Sequence, residues 1–250
     1  MKNLRKRIRI YSILICLFLF ASSLLGQEET TTTTVTVKKI HYGIKVGTTL
    51  SSFSSEQPHN NFKPGLTAGG FVSYDLSGSF SLQLEPMYLQ QGGNLISIVD
   101  YPMLLVSDPP FLFEVKDQKI TYHNIDVPLL IKFKKAISGL TLFAIAGPTI
   151  GFNFNTETKN NVSARSSDQI PVYYDFYQEE NITSDIKPWQ YGAVGGIGFE
   201  APVGKHTLIF DMKYRYSINT TYPGFSYLGI TQVQGDLRTN SFYFTLGFGF

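Results

Sequence analysis

The stretch LRTNSFYFTLGFGF, residues 237–250, alternates with a period of two. Phe242, Phe244, Leu246, Phe248 and Phe250 share one face, and Tyr243, Thr245, Gly247 and Gly249 share the other. Successive side chains of a strand point to opposite faces, so this spacing predicts a strand with one strongly aromatic side. An apolar ladder that runs to a final aromatic residue is poorly suited to a water-facing surface. It suits a strand whose greasy face meets lipid.

Working back along the chain, the same pattern recurs. Segments 40–50, 65–76, 80–90, 120–134, 140–154, 189–201 and 206–217 each alternate apolar with polar or glycine. In 206–217, Leu208, Phe210, Met212, Tyr214 and Tyr216 oppose Ile209, Asp211, Lys213 and Arg215. In 120–134, Ile125, Val127, Leu129, Ile131 and Phe133 oppose Asn124, Asp126 and Lys132. The connections sort by parity. Short ones follow the second, fourth and sixth strands, and long ones the first, third, fifth and seventh. Transmembrane barrels have this asymmetry, with tight turns on one side and long loops on the other. The expected fold is all-β, an eight-stranded antiparallel up-and-down transmembrane β-barrel over 40–250.

A soluble barrel of the lipocalin kind would need both faces inverted. That would leave Asp126, Lys132, Asp211, Lys213 and Arg215 on a surface with little other charge. The glycine-rich face of Gly43, Gly47, Gly69, Gly192, Gly196 and Gly198 also suits a narrow interior. Composition agrees. The 250 residues include 20 Phe, 15 Tyr and 22 Gly, but only 16% are charged, against about 25% in soluble domains. The net charge of +2 and the lack of a basic stripe argue against nucleic acid as a partner.

The N-terminus reads as a leader. Lys2, Arg5, Lys6, Arg7 and Arg9 precede an apolar run at 10–25 and then a small residue, the order of a secretory signal peptide, here 1–26. Cleavage after Ser23, with Ala21 three residues from the cut, fits the small-residue rule better than cleavage after Gly26. Residues 27–39, with a threonine run at 30–34, read as a polar periplasmic tether. The single cysteine, Cys16, lies in the leader. The mature chain is therefore expected to lack disulfides and thiolate chemistry.

Several segments resemble the PorT-like family of outer-membrane β-barrel domains, common in Bacteroidota. They are YGIKVG at 42–47, SLQLEPMYLQQG at 81–92, NIDVPLLIKF at 124–133, GPTIG at 147–151, GGIG at 195–198 and RYS at 215–217. The chain departs from the family pattern at Pro86, which follows Glu85 rather than preceding it, at Gln190 and at Asn219. The resemblance implies an outer-membrane barrel. Its founding member is linked to protein secretion, and most relatives carry no assigned role.

The polar face supplies the candidate site residues: Asp75, Glu85, Asp126, Lys132, Glu200, Asp211, Lys213 and Arg215. Buried charges must pair or stay hydrated, so an ion-pair network filling the lumen is expected. Phe242, Phe244, Leu246, Phe248 and Phe250 form the expected assembly signal, read by the barrel-assembly machinery. The four histidines are scattered, and neither HExxH nor GxSxG occurs. No enzyme activity, cofactor or metal is expected. The apolar segment 101–113 and Tyr173, Tyr174, Phe176 and Tyr177 are candidate contact surfaces in the long loops. The leading functional expectation is a scaffold in outer-membrane lipid, with both termini periplasmic and possible protein partners at its outer loops. The alternatives are an accessory component of a secretion apparatus and a narrow porin-like channel.

Overall fold

The computed structural model describes residues 40–54, 60–95, 100–103, 111–166, 173–221, 226–227, 230–231 and 237–250. The chain divides into two units, Met1–Val37 and Lys38–Phe250, and all described residues belong to the second. The expected signal peptide and tether lie outside the described residues. So does the centre of the apolar segment 101–113, along with the side chains of Tyr173, Tyr174 and Phe176.

Eight strands make the wall. They are β1 (Ile40–Ser54), β2 (Lys63–Asp75), β3 (Phe80–Leu84 and Met87–Leu95), β4 (Phe111–Ile137), β5 (Leu140–Ser166), β6 (Trp189–Val203), β7 (His206–Ser217) and β8 (Arg238–Gly249). Each pairs antiparallel with the next in sequence. β8 then returns to β1, from Gly43 opposite Gly249 to Ser54 opposite Arg238. The ring is closed, so every strand of the wall has two neighbours. Closure matters in lipid, where an unpaired backbone group finds no water.

The two faces are inverted relative to a water-soluble protein. Ile44, Val46 and Leu66 are 58%, 57% and 63% exposed, while Lys45 is 2% exposed and Arg215 fully buried. Aromatic pairs gather near both rims of this apolar wall. Tyr42 stacks on Phe250 at 5.8 Å and Phe80 meets Phe133 at 5.2 Å at the tight-turn end. Phe152 meets Trp189 at 5.1 Å and Tyr214 meets Phe242 at 4.8 Å toward the other end. Such girdles mark the two interfaces of a membrane barrel. Phe242, Leu246 and Phe250 are exposed on the outer face, as the alternation at 237–250 requires.

The tight turns follow from local chemistry. Ser138 (φ 48°) and Gly139 (φ 84°) have consecutive positive φ values. They join Ile137 to Leu140 with two residues, the geometry that matches the twist of a hairpin.

Three expected boundaries are corrected. β4 and β5 each run 27 residues, well beyond the expected 120–134 and 140–154. Most of the expected loop at 155–187 is therefore hairpin. It also holds a further strand, Tyr173–Asn181, paired to β5, and a short 3-10 turn, Thr183–Asp185. The expected loop at 92–118 likewise contains strand, with Asp100–Met103 paired to β4. β3 is interrupted at Glu85 and Pro86. Proline has no N–H for the ladder, and the Pro86 carbonyl instead accepts from Gly70 N at 3.1 Å.

Candidate functional site

Inward side chains stack in layers along the barrel. At the tight-turn mouth, Asp75 sits at the end of β2. Its carboxylate accepts from Lys134 Nζ at 2.6 Å and Ser81 Oγ at 2.6 Å, and lies 3.0 Å from His41 Nε2. Beside it, Lys132 of β4 pairs with Glu200 of β6, and its ammonium sits 4.1 Å from the centre of the Phe143 ring. The next layer is apolar: Phe71, Leu130, Phe143, Ile145, Val194 and Ile209.

Beyond that layer lies the central ionic group. Lys45 Nζ donates to Glu85 Oε2 at 3.0 Å and to Asp211 Oδ2 at 2.6 Å. Lys213 Nζ donates to Glu85 Oε1 and lies 3.3 Å from Asp211 Oδ1. Two acids and two bases from β1, β7 and the break in β3 thus neutralise one another, and all four are at most 2% exposed. Gln83 donates to Glu85 at 2.7 Å and Thr245 to Asp211 at 2.6 Å. Each carboxylate thereby has three partners. This satisfaction is what makes four charges tolerable in so small a space.

One layer further, Arg215 clamps Asp126. Its Nε and Nη2 donate to Oδ1 at 3.2 and 3.1 Å. Thr149 donates to the other carboxylate oxygen at 2.7 Å, and Arg215 Nη1 donates to Ser217 at 2.6 Å. The pair needs a residue without a side chain at 151. A Cβ on Gly151 would lie 2.6 Å from Asp126 Oδ1 and 3.3 Å from Arg215 Nη2. Above it, Asn124 donates to Gln91 at 3.0 Å and Asn153 donates to Asn124 at 2.8 Å. The interior ends in an apolar plug of Phe53, Ile120, Tyr122, Ile182, Ile186 and Leu237. Ile182 and Ile186 come from the segment around the 3-10 turn. Backbone bonds from Ile182 N to Thr156 O at 3.0 Å and Lys187 N to Thr221 O at 3.3 Å tie that segment down.

The eight residues singled out from the polar face all line this interior, but they do not form one site. Glu85, Asp211 and Lys213 meet in the centre, Asp126 and Arg215 form a second group, and Lys132 and Glu200 a third. Asp75 belongs with Lys134 and His41 at the mouth. Lys45 is the partner that selection by charged polar-face position left out, although its inward phase on β1 is legible in 42–48. Among the described residues, no three His, Cys, Asp or Glu side chains converge as metal ligands. In the hairpin beyond the wall, Lys159 Nζ lies 2.5 Å from Glu179 Oε1. Hydrogen bonding to that carboxylate pushes the lysine up and holds the glutamate down.

No curated protein matches the sequence. Among solved structures, the chain is similar to Ail, the attachment invasion locus protein of Yersinia pestis. Identity there is 11% over 84% of this chain and 98% of that one, with a TM-score of 0.37. Neisserial surface protein A is 9% identical over 83% and 95% of the two chains, with a TM-score of 0.42. The N-terminal β-barrel domain of Pseudomonas aeruginosa OprF is 10% identical over 83% and 97%, with a TM-score of 0.32. The family described as outer membrane protein beta-barrel domain matches residues 25–222. With most of its length matched, an eight-stranded ring and an apolar outer wall, the chain belongs to the outer membrane protein beta-barrel domain family.

Proposed function

We propose that this outer-membrane barrel is a closed scaffold: it conducts no solute and serves to present its long connections to partners on one side of the membrane. The observation that carries the reading is the filled interior. Glu85, Asp211, Lys45 and Lys213 occupy the centre with every charge paired. The apolar plug around Ile182 and Ile186 caps the end near the long connections. An eight-stranded ring is just wide enough for side chains to fill it.

In this reading the tight turns and both termini face the periplasm, and the β4–β5 hairpin rises outside the cell. The ladder from Phe242 to Phe250 serves recognition by the assembly machinery, then contacts lipid. Two of the segments that carry the PorT-like resemblance supply Asp126 and Arg215, which meet in the clamp. The reading assigns no catalytic role to the interior charges.

Planar-bilayer recording of the refolded barrel tests it. No current above background is expected, because any ion path must displace the central four charges. Steady single-channel steps would overturn the closed-scaffold reading and favour a channel.

A further inference from the structure

We propose that the tight-turn mouth of the barrel binds a small carboxylate with a short apolar body, either a free amino acid or the terminal residue of a peptide. The mouth holds a cavity of about 110 Å³. Its ceiling is Phe71 and Ile209, which separate it from the central ionic group. Its walls carry Lys132, Lys134, Glu200 and the Thr207 side chain. Cavities near 150 Å³ take a six-carbon ring, so this one holds roughly four or five non-hydrogen atoms, enough for the carboxylate, Cα and Cβ of an alanine residue whose nitrogen stays at the open mouth.

Donor arithmetic points to a carboxylate. An ammonium has three N–H donors. The carboxylate partner of Lys132 is Glu200 and that of Lys134 is Asp75. Each lysine therefore keeps donors for the cavity it lines, and two cations on one wall match the two oxygens of a carboxylate. The two acids balance the two lysines, so the site has little net charge and a singly charged anion fits better than a doubly charged one. The apolar ceiling receives the short side chain. Glu200, only partly covered at 19% exposure, can accept from an amine or amide N–H of the same ligand.

The test is NMR titration of the full mature barrel in detergent micelles with alanine, N-acetylalanine and alaninamide. Alanine or N-acetylalanine is expected to shift the amide signals of Ser73, Thr207 and Gly249 saturably. Tighter binding of alanine identifies the free amino acid as the source, and tighter binding of N-acetylalanine identifies a peptide terminus. Lys134→Gln keeps a hydrogen-bond donor for Asp75 but removes the charge, and should weaken binding roughly ten-fold, the worth of one charge-assisted hydrogen bond.

Gly249→Ala supplies a second variant that does not strain the fold. Its added Cβ would sit 3.6 Å from Thr207 Cβ and 3.7 Å from Ile209 Cδ1 and Phe71 Cζ, ordinary contact distances. It fills part of the cavity and should also weaken binding. Absence of any saturable response, binding left unchanged by both variants, or equal binding of alaninamide would overturn the proposal.

Discussion

Glu85→Ala should destabilise the folded barrel by about 3–5 kcal/mol, the range for breaking a buried ion pair by removing one partner. Glu85 is the carboxylate shared by Lys45 and Lys213. Its loss leaves two cations facing the single acid Asp211 in a layer where all of these side chains are buried. Gln83, which donates to Glu85, loses its acceptor as well. The double variant Glu85→Leu with Lys213→Leu should cost much less than the single one. It removes one acid and one base and leaves Lys45 with Asp211. Urea unfolding in phospholipid vesicles reads both, with Trp189, the only tryptophan, as the fluorescent probe on the outer wall. Equal losses for the single and double variants would mean that packing volume, not charge pairing, holds the centre together.

Val46→Arg should cost about 2–4 kcal/mol in the same assay, the penalty for a basic residue on a barrel's lipid face at the membrane midplane. Val46 stands midway on β1 between Tyr42, in the tight-turn girdle, and Leu50. Its register neighbours are Leu246 on β8 and Ala68 on β2, so no acid stands directly opposite to receive the guanidinium. The same substitution at Lys159, in the hairpin beyond the wall, should be close to neutral, because that side chain is solvated. A small effect at Val46 would mean that this face meets water.

These two substitutions separate what the sequence reveals from what it hides. The lipid-facing phase was readable where apolar and polar residues alternate strictly, as in 206–217 and 237–250, because the bilayer imposes it residue by residue. Ile44 and Val46 against Lys45 separates the two faces, and the low charge, the glycine-rich face and the aromatic ladder at 242–250 tell outside from inside. The alternation fades where β4 and β5 leave the membrane. The run at 155–166 is largely polar, so its strand character rests on backbone pairing with 111–123 and its composition carries no clear apolar–polar alternation. The strand ends were misplaced there for that reason.

Ion pairing was hidden for a different reason. Lys45 meets Asp211 across 166 positions of sequence, a meeting fixed by strand register around the whole ring. Alternation assigns a face, but it does not assign a partner. The interior apolar layers were hidden too. Phe71 and Leu130 lie on the polar face of their strands, where they separate one ionic layer from the next.

The inside–outside assignment is tested most directly by spin labels placed one at a time at positions 44 to 50 of β1, in a Cys16→Ser chain reconstituted in lipid vesicles. Oxygen dissolved in the bilayer should relax labels at 44, 46, 48 and 50 strongly and those at 45, 47 and 49 weakly. The opposite phase, with the Lys45 position open to the bilayer and Val46 shielded, would contradict the barrel described here.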